Sequence, residues 1–226
     1  LGELGVHPCI IALEQVGRLG NRPFLALDYV PVPTLKDMLS AAVAGKLPIT
    51  YAVRVMRSLA ETLGYIHERG IVHRDIKPGN ILLGDGDCRL IDFGCALVPT
   101  EHARSQKNPG TYFYTAPESA DPDIEMVDHR ADIYSFGIVL YELLTGKIPL
   151  QARTKLDTFW NHYTWDIPNP RCDNPNISLC LAELVVASTR RDRTERIQSA
   201  GELSDRLDKV HKNLRPTPGE EALIIS

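Results

Sequence analysis

Residues 71–80, Ile-Val-His-Arg-Asp-Ile-Lys-Pro-Gly-Asn, constrain this chain more than any other stretch, because they put a carboxylate, an ammonium and an amide on one short loop. The flanking patterns fix that loop from both sides. Upstream, Val53, Met56, Leu59, Ala60, Leu63 and Ile66 recur at three-to-four spacing and Gly70 follows them, which predicts a helix after Thr50 that stops and hands the chain to the loop. Downstream, Ile81-Leu82-Leu83 and Cys88-Arg89-Leu90-Ile91 flank Gly84-Asp85-Gly86-Asp87, a hairpin with an Asp-Gly turn. A turn centred between Asp85 and Gly86 pairs residues whose numbers sum to 171, so Asn80 lies opposite Ile91 and Asp92 stands one residue beyond that partner.

These residue types suit phosphoryl transfer. Asp75 can orient an attacking hydroxyl and take its proton. Lys77 can neutralise charge on the transferred group, and Asn80 with Asp92 forms the hard-oxygen pair that holds Mg²⁺ without a dedicated cage. Composition narrows the remaining classes. A net charge of −4 with acids and bases interspersed gives no basic stripe, so nucleic acid is not the expected partner. Five scattered cysteines without a C-x-x-C pair suggest neither a disulfide framework nor a zinc site, and point to a reducing, intracellular compartment. No apolar run reaches the length of a membrane span.

The loop resembles the catalytic loop of protein kinases, H-R-D-x-x-x-x-N, and four further motifs follow the order of that family. His7-Pro8 resembles the H-P-x-I junction that follows its regulatory helix, Asp92-Phe93-Gly94 its D-F-G, Ala116-Pro117-Glu118 its A-P-E, and Asp132 the aspartate that bonds the catalytic-loop backbone. The resemblance covers residues 7–212. It implies an α+β, protein-kinase-like fold: a mainly helical C-terminal lobe over 31–213, a hairpin and hinge of the N-terminal lobe over 1–30, and a linker over 214–226. It also implies ATP and Mg²⁺ as cofactors and protein substrates as partners, with the catalytic domain in the cytoplasm and any membrane anchor outside this chain. By the same resemblance Leu27 is the gatekeeper, Asp28-Tyr29-Val30 the hinge that meets adenine, and Leu82 a further residue of the nucleotide site. Thr111 would bridge Asp75 and Lys77, and Glu118 would pair with Arg196. Lys77 and Gly110-Thr111 resemble the serine/threonine class, and the wording H-R-D-I-K-P-G-N its bacterial members. Gly79 stands where kinases that prefer basic substrates carry an acid, so no basic substrate motif is expected. The glycine-rich loop, the V-A-I-K lysine and the regulatory-helix glutamate would all precede Leu1, and residues 1–226 alone are expected to be inactive. The alternative is a kinase-fold scaffolding module that transfers no phosphate.

Elsewhere, residues 10–16 and 24–29 read as strands around the turn Gly17-Arg18-Leu19-Gly20-Asn21-Arg22. Ile11, Leu13, Phe24 and Leu25 of this hairpin are expected to lack neighbours. Thr34 with Asp37 and Ser199 with Glu202 are capping boxes, opening a short helix through about Ala44 and a last helix through about Lys212. An apolar helix from Asp132 to Gly146 belongs in the middle of a lobe. Residues 150–177 read as irregular chain around one short helix, and residues 179–187 as helix. Arg190, Arg191 and Arg193 read as a solvated face paired with the interleaved Asp192 and Glu195. Residues 95–115 read as a switch loop, with Ser105 and Thr100 as candidate phosphorylation sites and Leu97 where a second phosphate-binding base is common.

Overall fold

The computed structural model describes residues 7–84, 87–96, 113–119 and 127–214. The β1 (Leu13–Leu19) and β2 (Arg22–Leu27) strands form an antiparallel hairpin. It is tighter than the sequence pattern suggests: Gly17, Leu19 and Arg22 lie in strands, and Gly20, at φ 61°, turns the chain with Asn21. The pairing runs on through these residues because a two-residue turn with positive φ matches strand twist.

Thr34 caps α1 (Leu35–Ala41) with a complete capping box, Asp37 N–H donating to Oγ1 and the Asp37 carboxylate accepting from Thr34 N–H. The helix stops at Ala41, and Ala44 turns left-handed at φ 57°. α2 (Ile49–His67) buries the expected stripe, Val53, Met56, Leu59, Ala60, Leu63 and Ile66 each being at most 1% exposed. The β3 (Ile81–Leu83) and β4 (Cys88–Leu90) strands pair Ile81 with Leu90, Leu82 with Arg89 and Leu83 with Cys88, the predicted register throughout.

Two bridges fasten this second hairpin to the chain that precedes it, Ile10 to Leu90 in parallel and Thr34 to Leu82 in antiparallel sense. The first corrects the reading of Ile11, which is 4% exposed because its N–H donates to Leu90 O and brings it against β4. Phe24 and Leu25, with no such bridge, are 40% and 55% exposed.

α3 (Arg130–Thr145) is the axis of the core, buried on nearly every side. It ends at Gly146, whose φ of 74° suits glycine and whose Cβ, if present, would lie 2.2 Å from Ala44 O. Gly137 admits the end of α5 (Leu179–Ser188), since a Cβ there would meet Thr189 Cγ2 at 2.5 Å. Between them in sequence lies α4 (Lys155–Thr164), the one α-helix in the irregular stretch, followed by a 3-10 turn over Pro170–Cys172. α6 (Ala200–Asn213), capped by Ser199, packs on α2 and is tied to it by Arg57 and Asp208 at 2.5 Å. Among the described residues no ion pair joins Arg190, Arg191 or Arg193 to the interleaved Asp192 and Glu195. Arg191 reaches Asp166 at 3.0 Å and Arg193 reaches Asp128 at 3.5 Å, while Asp192 accepts from Thr194 N–H and Oγ1. Sequence neighbours in a turn point apart, and the fold supplies other carboxylates.

No helix among the described residues is long and apolar enough to cross a membrane.

Candidate active site

α2 ends at His67, three residues before Gly70, whose φ of 72° turns the chain into the loop. His73 is fully buried. Its Nδ1 accepts from Asp75 N–H at 3.2 Å, so the proton sits on Nε2, which donates to Ile91 O at 3.1 Å. Burial holds His73 below the ordinary histidine range despite the nearby Asp132, so it stays neutral. One ring thereby joins the loop to the segment entering Asp92, and Phe93 packs edge-on against it at 4.7 Å.

Arg74 has φ 66°, a left-handed conformation that costs a non-glycine residue about 1–2 kcal/mol. Asp132, fully buried at the start of α3, holds the strained turn by accepting from Arg74 N–H and His73 N–H, both at 2.8 Å. Its third partner is His67 Nε2 at 2.9 Å. Burial raises the Asp132 carboxyl, but hydrogen bonding and charge from His67 and the His73 contacts outweigh it, and the group stays ionised below the usual carboxylate range.

Within the loop, Asp75 Oδ2 accepts from Lys77 Nζ at 2.6 Å and from Asn80 Nδ2 at 2.9 Å. Asn80 Nδ2 also donates to Asp75 O at 2.8 Å, so the amide nitrogen is committed and Oδ1 is the atom left for a cation. Ile91 N–H donates to Asn80 O at 3.0 Å, which sets Asp92 beside Asn80. Asp92 is exposed, sits at φ 64°, and accepts from Gly94 N–H at 3.3 Å. A left-handed aspartate beside a buried amide oxygen is a donor set suited to Mg²⁺.

Two clefts flank the loop. One, of about 540 Å³, is lined by Leu27, Asp28, Tyr29, Val30 and Leu82, all five of the residues expected at adenine, together with Ile11 and Ile91. The other, of about 550 Å³, lies past Lys77 between α1 and the end of α3, with Lys36, Gly79, Phe113, Tyr114 and Glu142 on its walls. There the Tyr114 hydroxyl donates to Glu142 Oε2 at 2.7 Å, and burial raises the Glu142 carboxyl.

Glu118 and Arg196 meet as expected, Nη1 to Oε1 at 2.6 Å and Nη2 to Oε2 at 3.0 Å, with both side chains buried. Thr111, Ser105, Thr100, Leu97 and Gly110 lie outside the described residues. Sequence reasoning passed over His67, Tyr114 and Glu142. Two had a visible signal: Glu142 is an acid set among the apolar residues near the end of its helix, and His67 is polar in the last turn of a buried one.

The protein kinase domain model matches residues 1–217. A probable serine/threonine-protein kinase of Clostridium acetobutylicum is 35% identical over 207 residues, covering 90% of this chain and 31% of that protein. Serine/threonine-protein kinase PknB of Mycobacterium leprae is 31% identical over 218 residues, 93% of this chain and 34% of that protein. Serine/threonine-protein kinase pkn2 of Myxococcus xanthus is 33% identical over 225 residues, 94% of this chain and 26% of that protein. The chain thus spans about a third or less of the length of these relatives. With a family match that takes in the catalytic loop, both clefts and the helical core alike, the chain belongs to the protein kinase family.

Proposed function

We propose that this chain carries the catalytic loop of a serine/threonine kinase that moves the γ-phosphoryl group of ATP to protein hydroxyls. The observation that carries the reading is the convergence of Lys77 Nζ and Asn80 Nδ2 on one oxygen of Asp75. Those bonds fix the carboxylate and leave its other oxygen for a substrate hydroxyl, which it orients and deprotonates. Lys77, 2.6 Å from Asp75, stands where charge develops on the transferred group. Asn80 Oδ1 and the Asp92 carboxylate would hold Mg²⁺, which when bound draws charge from the phosphate oxygens. Thr111 is assigned to steady Asp75 and Lys77.

In the nucleotide cleft, Leu27 is the gatekeeper and Leu82 lines the site of the base. Asp28 N–H already donates to Ala12 O, and the Val30 carbonyl accepts from Val32 N–H. The Asp28 carbonyl and the Val30 N–H are therefore the backbone groups assigned to the adenine edge. The second cleft receives the protein substrate. Residues 1–30 are read as the end of the N-terminal lobe, 31–213 as the C-terminal lobe and 214–226 as a linker, with the domain in the cytoplasm.

The test is Asp75→Asn in the full-length protein. Loss of a positioned base removes about 10²- to 10⁴-fold in rate, with far-ultraviolet circular dichroism unchanged. Turnover within threefold of the parent removes Asp75 from the mechanism. The scaffolding alternative requires instead that the parent itself transfer no phosphate above background.

A further inference from the structure

Two of the five thiols lie on segments that the fold has stitched together, Cys9 in the turn before β1 and Cys88 on β4. Leu90 N–H donates to Cys9 O at 2.8 Å and Ile11 N–H donates to Leu90 O at 3.1 Å, the two bonds of the parallel bridge at Ile10. In that register Cys9 faces Arg89, one residue from Cys88. The Cys9 backbone is thus bonded one residue from Cys88, and a disulfide asks for Cα atoms about 4.4–6.8 Å apart.

The Cys9 thiol and the Cys88 backbone also meet at one atom. Ser58 Oγ, on α2, is 3.9 Å from Cys9 Sγ and accepts Cys88 N–H at 3.1 Å. Cys9 is partly exposed, whereas Cys88 is fully buried. Burial pushes the Cys88 thiol up to about 12, Ser58 lowers it somewhat, and the nearby Cys9 raises it further. An oxidant from solvent therefore meets Cys9 first and has no direct course to Cys88.

We propose that Cys9 and Cys88 are an oxidant-responsive dithiol whose substrate is hydrogen peroxide. The Cys9 thiolate attacks one peroxide oxygen and becomes a sulfenic acid, releasing water. The Cys88 sulfur then attacks the Cys9 sulfur, the S–O bond breaks, and the sulfenic oxygen leaves as a second water carrying the Cys88 proton. Two thiols and one peroxide give one disulfide and two waters, with two electrons passing from sulfur to oxygen.

The bond would staple the segment entering β1 to β4, both of which border the 540 Å³ cleft, through Ile11 after the one and Ile91 after the other. Only this consequence rests on the nucleotide reading of that cleft; the chemistry of the pair does not. A transient disulfide of this kind is the form expected in a reducing compartment.

The test is to expose the protein to one and then several equivalents of hydrogen peroxide, alkylate, digest with trypsin and map peptides without reduction. Expected is the peptide ending at Arg18 linked to residues 75–89, a species lost on adding dithiothreitol and absent in Cys9→Ser. In Cys88→Ser, whose fold is checked by circular dichroism, the Cys9 sulfenic acid should persist and be trapped by dimedone. The parent map decides the matter even if that variant misfolds. Recovery of alkylated Cys88 alongside Cys9 sulfinic acid overturns the proposal, as does Cys9 linked instead to the exposed Cys172 or Cys180.

Discussion

Replacing Arg196 with methionine tests how the substrate-side segment is tied to the helical core. Every donor of this guanidinium is used. Besides the two bonds to Glu118, Nη1 donates to Arg130 O at 2.6 Å, Nε to Arg190 O at 3.0 Å and Nη2 to Arg191 O at 3.2 Å. The cation also stands 5.0 Å from the Tyr134 ring centroid. Methionine keeps volume but strands the Glu118 carboxylate and three carbonyls in a site where the side chains are 0% and 3% exposed. Breaking one partner of a buried pair costs about 3–5 kcal/mol. For a domain of this size each kcal/mol moves Tm by roughly 2–4 °C, so a fall of about 6–20 °C is expected by calorimetry. Arg196→Lys should recover little, because three donors cannot serve five acceptors. Glu118→Gln combined with Arg196→Met should cost less than the sum of the single changes by about 1–3 kcal/mol. A melting point within 2 °C of the parent, or simple additivity, would refute the argument that the pair is a stranded-charge lock.

Gly146→Ala should destabilise by about 2 kcal/mol or more in urea unfolding, from left-handed strain plus the 2.2 Å approach to Ala44 O; a smaller loss would show that the α3 end relaxes freely. His162 is fully buried, burial lowers it to about 4, and the Tyr134 hydroxyl shares a hydrogen bond with its Nδ1. A histidine that binds its proton less readily folded than unfolded gives stability that is complete above its unfolded value near 6.5 and lost as pH falls toward 4. Stability should therefore drop by up to about 3 kcal/mol between pH 7 and pH 4, and His162→Asn should flatten that slope; an unchanged slope counts against the assignment. Asp132→Asn leaves one oxygen for three donors, and should lower both Tm and turnover by releasing the Arg74 turn. If instead turnover holds while Tm falls, the loop does not need that anchor. Asp92→Ala should remove the Mg²⁺ dependence of fluorescent nucleotide binding measured with and without chelator, and a retained dependence would place the cation elsewhere.

Local chemistry made much of this chain legible before any fold was known. Spacing gave the helix from Ile49 to His67 and its buried stripe, and turn chemistry gave the β3–β4 register and hence the nearness of Asn80 and Asp92. These are periodicities and short loops, where few residues decide the outcome and neighbours in sequence are neighbours in space. The caps at Thr34, Ser199 and Gly146 belong to the same class, each satisfying backbone groups within one turn of itself. The expected pairing of Arg191 and Arg193 with Asp192 and Glu195 failed because a long arginine chooses among all carboxylates in reach, and Asp166 and Asp128 arrive from other segments. Ile11 likewise turned inward because β4 came to it. His67 acquired its role from α3, which brought Asp132 to it from 65 residues away, just as Tyr114 found Glu142 across 28. Sequence by itself determined the elements, the loop and the chemistry that the loop can support. Only the tertiary structure decided which buried polar groups meet, because burying a charge is favourable only where a specific partner has been delivered, and delivery is a property of the packed helices rather than of any stretch of chain.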